Sequence, residues 1–441
     1  MHETRLELKF QHDVPEGRLP CSNFRTDTPQ GRAMTLGTEL AFIRENRRWL
    51  GAGFLLTLFS SFGQTFFIGL FGNDLRRDFG LTAGGFGAIY MVATLLSAAS
   101  LPWLGRTLDL ISGWKVAAFT IPILTLACLL IGTVQGIVGL TIALFMLRLF
   151  GQGMMTEIAF TEVGRWFEAN RGRAMAIITP GFQVGNAVLP VVAVWLAALV
   201  GWRDVWLASA LLLAIVAWPM LVGLLRVERA PVTTMAPQPQ SHRAKDWTRA
   251  EVLRDPVLYI LLAGTLAPPF IGTTIFFHQG YLVELRGYDP LVFASAFPVM
   301  AVTTVFFGFV CGYLIDRFGA LRILPFFLLP LALASIAGGL VTPAWGIYLF
   351  MLLLGVSNGF TQTLLGALWP EVYGTANLGG IRAITVSAMV FATALGPGIS
   401  GALIDRGIDL PVQMIWMGIW CLAACAVLTS AASRIRKRKA A

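Results

Sequence analysis

The chain is 441 residues long, 56% hydrophobic and only 13% charged, with a mean hydropathy of +0.71, whereas an average soluble domain carries roughly 25% charged residues. Such a composition excludes a soluble globular surface. The net charge of +9 does not point to nucleic acid either, because the Lys and Arg residues fall between hydrophobic runs and form no basic face.

Residues 1 to 48 form a polar extension with no apolar core ahead of Trp49, so no cleaved signal peptide is expected and the first span serves as the insertion signal. Met34 precedes a short basic approach to that span and is a candidate translation start. A bilayer span needs about 20 mostly apolar residues. On that criterion twelve transmembrane helices are predicted, at 49 to 71, 84 to 104, 115 to 133, 138 to 160, 174 to 200, 204 to 225, 257 to 280, 290 to 314, 322 to 341, 344 to 367, 381 to 403 and 411 to 431. Residues 226 to 255 are Pro-rich and charged and read as a linker, with a short amphipathic helix from Asp246 to Leu253. The fold class is an all-α membrane protein of two six-helix halves, 49 to 225 and 256 to 431, closed by a basic tail at 432 to 441.

Orientation follows from Lys and Arg, which resist translocation. With the N-terminus inside, the inner loops hold Arg106, Lys115, Arg165, Arg171, Arg173, Arg317, Arg322 and Arg382, together with the basic residues of the linker and tail. The outer loops hold only Arg76, Arg77, Arg203, Arg286 and Arg406. Both termini and the linker are therefore expected in the cytoplasm, with the protein in the plasma (inner) membrane.

The halves look duplicated. Gly80 and Gly287, Gly105 and Gly312, Asp109 and Asp316, and Pro190 and Pro397 are each 207 positions apart. Thr82 and Asp289 share that spacing and are both suited to cap the following helix. The first half has one extra residue between Asp109 and Gly113, and beyond it the offset drops to 206 for Gln152 and Asn358 and for Gly153 and Gly359.

Gly312-Tyr-Leu-Ile-Asp316-Arg317-Phe-Gly319 is the most specific motif, and through it the chain resembles the major facilitator superfamily from residue 49 to 431. The first-half copy keeps Gly105, Asp109, Gly113 and Lys115 but has Leu110 where the motif has Arg, and a weaker echo runs from Gly401 to Arg406. Glycine at a span end lets a neighbouring helix approach, and an Asp there can accept hydrogen bonds from a helix N-terminus or an Arg. The motif residues, Gly105, Asp109, Lys115, Gly312, Asp316, Arg317 and Gly319, are thus candidates for a conformational latch. The bland alternative is a solvated turn. Arg148-Leu-Phe-Gly151-Gln152-Gly153 and the Arg165 to Arg173 segment resemble the monocarboxylate and oxalate/formate carriers. Those dicarboxylate carriers place basic residues in the eighth and eleventh spans; none lies in the middle of either here, so oxalate itself is not expected.

The resemblance implies that the first, fourth, seventh and tenth helices line a central cavity. Arg148 lies about halfway through the fourth span, where a charge costs about 2.5–3.5 kcal/mol to insert and is by default functional; its competing role is to tie helices together. Gln64, Gln152, Asn358, Gln362 and His278 are candidate cavity residues, each also explicable as interhelical glue. His278, near the outer end of its span, reads as solvated or gating. Glu157 is a candidate for proton coupling, about 13 Å along the helix from Arg148 at 1.5 Å per residue and so too far for a direct pair. Pro268 and Pro269 interrupt hydrogen bonding in the seventh helix.

Five cysteines, Cys21, Cys128, Cys311, Cys421 and Cys425, lack CxxC spacing, and neither HExxH nor a Walker A loop is present, so no metal, cofactor or enzymatic activity is expected. Gly355-Val-Ser357-Asn-Gly359 fits GxSxG but lies within an apolar helix and not in a strand-to-helix elbow. The expected function is secondary active transport of a small organic anion such as a monocarboxylate, with a proton as the candidate coupling ion and a monomer as the working unit. Export of amphipathic compounds and a flux-free sensor are the alternatives.

Overall fold

The computed structural model describes residues 36–167, 170–227, 247–374 and 377–440. Met34, Cys21 and most of the linker, Asp246 included, lie outside the described residues. Among them all regular structure is helical, as the bilayer demands of a chain whose backbone polar groups must be satisfied within each segment. Eleven helices are long and apolar enough to span: Arg47–Leu70, Ala83–Leu110, Gly113–Thr133, Ile137–Trp166, Arg171–Val200, Trp202–Leu225, Pro256–Phe277, Pro290–Phe318, Trp345–Tyr373, Leu378–Ile404 and Leu410–Arg438. A shorter apolar helix, Leu329–Leu340, takes the ninth place.

That ninth span departs from the continuous 322 to 341 helix expected from hydropathy. A short helix, Ala320–Ile323, is followed by turns, and Leu329–Leu340 then begins anew. Pro325 and Pro330 have no N–H to offer the preceding turn, so the chain closes with local bonds such as Phe326 N–H to Ile323 O at 2.9 Å. The linker helix is Arg249–Arg254, starting three residues later than expected because Thr248 is its cap. Thr248 and Glu251 form a reciprocal capping box.

The internal repeat is visible in backbone detail. Gly80 and Gly287 have φ of +60° and +63°, a conformation that favours glycine. Behind them Leu81 N–H bonds Arg76 O at 2.8 Å, and Tyr288 N–H bonds Val283 O at 3.0 Å. Each half thus ends a helix with the same left-handed turn. The next helix then starts with a capped first turn: Thr82 accepts from Gly85 N–H and Asp289 from Leu291 N–H.

Among the described residues π-helical turns occur in the sixth span, at Leu213–Ala217, and in the fourth, and the fourth-span turn lies beside a break in the first span. In the first, Arg47–Phe59 tightens into a 3-10 turn at Ser60–Gly63, Gln64 is extended with ψ of 150°, and Thr65–Leu70 resumes the helix. In the fourth, residues Leu147–Met154 form a π-helix between Ile137–Met146 and Met155–Trp166. Wide π turns of this kind often accompany functional sites.

Candidate functional site

The two irregularities meet. A methyl group on Gly63 would overlap the Leu147 carbonyl, the Gln152 amide and the Gly151 backbone. Only glycine lets the broken first span touch the π-helical turn, and the contact turns Arg148 towards the break. Arg148 is 4% exposed. Its Nη1 donates to Gly63 O and to Thr65 Oγ1, both at 3.3 Å. Its guanidinium lies 5.4 Å from the centre of the Tyr90 ring, a favourable placement of a cation over an aromatic face.

No carboxylate of the described residues forms an ion pair with Arg148, and Nε has no partner there. Beside it the Gln152 Oε1 atom is likewise buried without a partner. A cavity of about 600 Å³ begins at this point, bounded by the second, fourth and eleventh spans, and takes in Gln64, Arg148, Gln152 and Glu157. Thr94, Ser97, Thr156 and Ser387 add hydroxyls to its wall, and Phe160 and Phe391 add aromatic faces. Because Glu157, Phe160 and Ala383 lie towards the face that carries Asp109 and Asp316, the cavity extends from Arg148 towards that face.

The opposite face is closed. Phe86 stacks on Phe277 at 4.7 Å and Tyr90 packs on the same ring at 4.5 Å. Further along the seam, Phe297 meets Phe66 at 5.9 Å and Phe276 at 5.5 Å. Asp405 Oδ2 accepts from Gly84 N–H at 2.9 Å, so a carboxylate from the end of the eleventh span sits at the N-terminus of the second.

The structure does not gather all the sequence candidates. Gln64, Arg148, Gln152 and Glu157 share the cavity, whereas Asn358, Gln362 and His278 are not among its lining residues. Asn358 points its amide at Met300 Sδ, 3.8 Å away, and Gln362 is exposed. His278 is 3% exposed and not solvated, because Nε2 sits 3.0 Å from the carbonyl of Pro397, where the proline within the eleventh helix lies against it.

The latch candidates also separate. Asp109 pairs with Arg165 at 2.5 Å, and Lys115 lies against Trp114. Asp316 is exposed and makes no bond to a described residue, while Arg317 donates to Tyr313 at 3.3 Å. Gly105 has open space where a Cβ would stand and Gly312 only ordinary contact, so neither serves close helix approach as expected. Gly319 is needed for another reason, its φ of +81°. Thr65 and Tyr90 did not stand out in the sequence, since a threonine and a tyrosine in apolar spans are common.

The profile of the Major Facilitator Superfamily matches residues 53–397. The MFS transporter asaE of Aspergillus flavus is 23% identical over 293 residues, covering 64% of this chain and 62% of that protein, so the chain spans less than two thirds of that relative. A gallate transporter of Pseudomonas putida is 25% identical over 425 residues, 87% of this chain and 91% of its own. An agnestins efflux protein of Paecilomyces divaricatus is 24% identical over 58% of this chain and 57% of its own. Among solved structures, a bacterial homolog of the human lysosomal transporter Spinster, inward-facing and unoccupied, aligns with a TM-score of 0.71 at 14% identity, covering 89% of this chain and 98% of its own. The nucleoside transporter NupG aligns with a TM-score of 0.64 at 14% identity, over 88% of this chain and 99% of its own.

Proposed function

Since the chain belongs to the major facilitator superfamily and is a multi-pass membrane transporter, we propose that its cargo is a small organic anion, with Arg148 as the group that binds the carboxylate. The observation that carries this reading is a buried guanidinium with no carboxylate partner among the described residues, at the inner end of a 600 Å³ cavity. A desolvated cation without a counter-ion is costly, and a planar guanidinium can hold a carboxylate through two parallel hydrogen bonds. The similarity to a gallate transporter supports an aromatic monocarboxylate as the cargo. Phe160 and Phe391 supply ring contacts, and Thr94, Ser97 and Ser387 supply hydrogen bonds for ring hydroxyls.

The halves at 49 to 225 and 256 to 431 alternate access by rocking about the site. We assign the face carrying Asp109 and Asp316 to the cytoplasm, which makes this the inward-open state of a plasma-membrane protein with both termini inside. Glu157, a carboxylate in the same cavity, is the residue we assign to proton coupling. The working unit is a monomer.

Uptake of labelled gallate and benzoate into vesicles reconstituted with purified protein, with and without an inward proton gradient, tests the reading. Accumulation above protein-free vesicles, enhanced by the gradient, is expected. Transport of neutral amphipathic compounds without transport of either acid would overturn it and favour export through the same largely apolar cavity.

A further inference from the structure

The residue that contacts both the Arg148 site and the closed face is Tyr90. Its side chain is completely buried. The hydroxyl shares a 2.6 Å hydrogen bond with Thr65 Oγ1, the atom that also accepts from Arg148 Nη1. One side of the ring lies against the guanidinium, and the ring also packs on Phe277 of the other half. Phe277 in turn stacks on Phe86 and stands edge-on to His278, whose Nε2 meets the Pro397 carbonyl.

The internal repeat supplies a built-in control. Phe297 is the residue 207 positions beyond Tyr90, and Phe293 stands in the same relation to Phe86. Phe297 also seals the closed face with its ring, against Phe66 and Phe276, and it has no hydroxyl. An aromatic ring is therefore sufficient for the seal. The residue 206 positions beyond Arg148 is Leu354, and the one 207 beyond Thr65 is Gly272. Hydroxyl, threonine and guanidinium occur together in the first half and are absent together at the corresponding positions of the second.

We propose that the Tyr90 hydroxyl is a positioning group for Arg148, and that the Thr65 bridge links the guanidinium to the aromatic seal through the same ring. Two functions are divided within one side chain: the ring closes the face and the hydroxyl aims the cation. With the guanidinium held in this way, an anion entering the cavity meets it already aimed, so loss of the hydroxyl costs affinity while the ring still holds Phe277. The consequence for binding rests on the anion reading of Arg148; the hydroxyl–guanidinium link does not.

Two measurements separate those layers. The first needs no ligand: a double-mutant cycle on thermal unfolding of the detergent-purified protein with Tyr90→Phe, Arg148→Met and the pair. The link predicts that the double variant loses clearly less than the sum of the single variants, and strict additivity overturns it. The second uses labelled gallate at equilibrium. Tyr90→Phe should weaken its binding by about tenfold, the loss of roughly one hydrogen bond, while nitroxides at Arg77 and Arg406 report an unchanged closed face before gallate is added. Tyr90→Leu, which removes the ring, should widen that distance distribution without ligand. Wild-type gallate affinity in Tyr90→Phe overturns the positioning role. If the unsubstituted protein binds neither gallate nor benzoate, the anion reading falls and the ligand-free cycle still decides whether the hydroxyl and the guanidinium are linked.

Discussion

Asn73 donates its side-chain amide to the carbonyl of Gly280 at 2.7 Å, and the two residues are 207 positions apart, the offset of the internal repeat. Residues related by a repeat can touch only where the two copies meet on their common axis. Gly69 and Phe276, at the same offset, make the neighbouring contact, since a methyl on Gly69 would overlap the Phe276 carbonyl. The first and seventh spans therefore cross on the pseudo-two-fold axis, and they do so on the face that is closed. Any motion that opens this face has to part Asn73 from Gly280.

Arg148→Lys should weaken gallate binding about tenfold, because an ammonium cannot reproduce the paired hydrogen bonds of a guanidinium. Arg148→Gln should nearly abolish binding, since removing one partner of a desolvated charge pair costs about 3–5 kcal/mol. Equilibrium binding to purified, monodisperse protein measures both. A folded Gln variant with unchanged affinity would make Arg148 a scaffold residue.

Asp405 and Asp316 carry the same local sequence, Gly-x-Leu-Ile-Asp-Arg, at 401–406 and 312–317. The sequence ranks Asp316 first because its motif also has Gly319. In this state the engaged residue is Asp405, bonded to Gly84 N–H across the seam. Asp405→Asn removes a charge at a helix N-terminus worth about 0.3–1 kcal/mol, so labelling of a Thr274→Cys probe, at a fully buried position facing Gly396 of the eleventh span, should rise roughly twofold to fivefold. Asp316→Asn should not raise it. Equal labelling of the two variants would show that the Asp405 bond does not hold the face shut.

Gly63→Ala should abolish transport and lower thermal stability. The added methyl runs into backbone atoms of Leu147, Gly151 and Gln152, which cannot rotate away as a side chain could. Gly51→Ala is the matched control, because nothing lies within 4 Å of its Cβ position. Equal melting temperatures in a detergent thermal-shift series would show that the first and fourth spans have slack at this contact.

Tyr281 donates to Asp409 at 2.5 Å, and burial and that carboxylate push its phenol up to about 12 from the usual 10. A raised folded-state value means the stabilisation is complete below about pH 10 and is lost as pH rises through 12. The melting-temperature difference between the unsubstituted protein and Tyr281→Phe should therefore be constant from pH 7 to 9 and shrink between 10 and 12. A difference that already changes between pH 7 and 9 would exclude this proton.

The topology assignment predicts that a reporter inserted at Gln240, in the linker beyond the described residues, gives a cytoplasmic signal, because the Lys and Arg excess lies on that side. An external signal would invert the orientation and make the Arg148 cavity outward-open.

Spans, repeat and helix caps were legible in the chain because each depends on local chemistry. Apolar runs of bilayer length must be helices, and a glycine followed by a capping Thr or Asp at the same spacing in both halves must make the same turn. The break in the ninth span at Pro325 and Pro330 was not legible from hydropathy, which treats a proline between apolar residues as part of the run. Arg148 was also legible, since a charge halfway through an apolar span stands out against its surroundings. Its partners were not. Thr65 and Tyr90 reach it from other spans, the π-helical turn at Leu147–Met154 forms where Gly63 and Gly151 touch, and Asn358, Gln362 and His278 lie outside the cavity, Asn358 against Met300 and His278 against Pro397. The sequence by itself determined that the chain crosses a membrane as two related halves with a buried cation between their faces. Which polar groups surround that cation, and which of the two Gly-x-Leu-Ile-Asp-Arg motifs is engaged, depends on distances between spans far apart in the chain, and only the tertiary packing decides those.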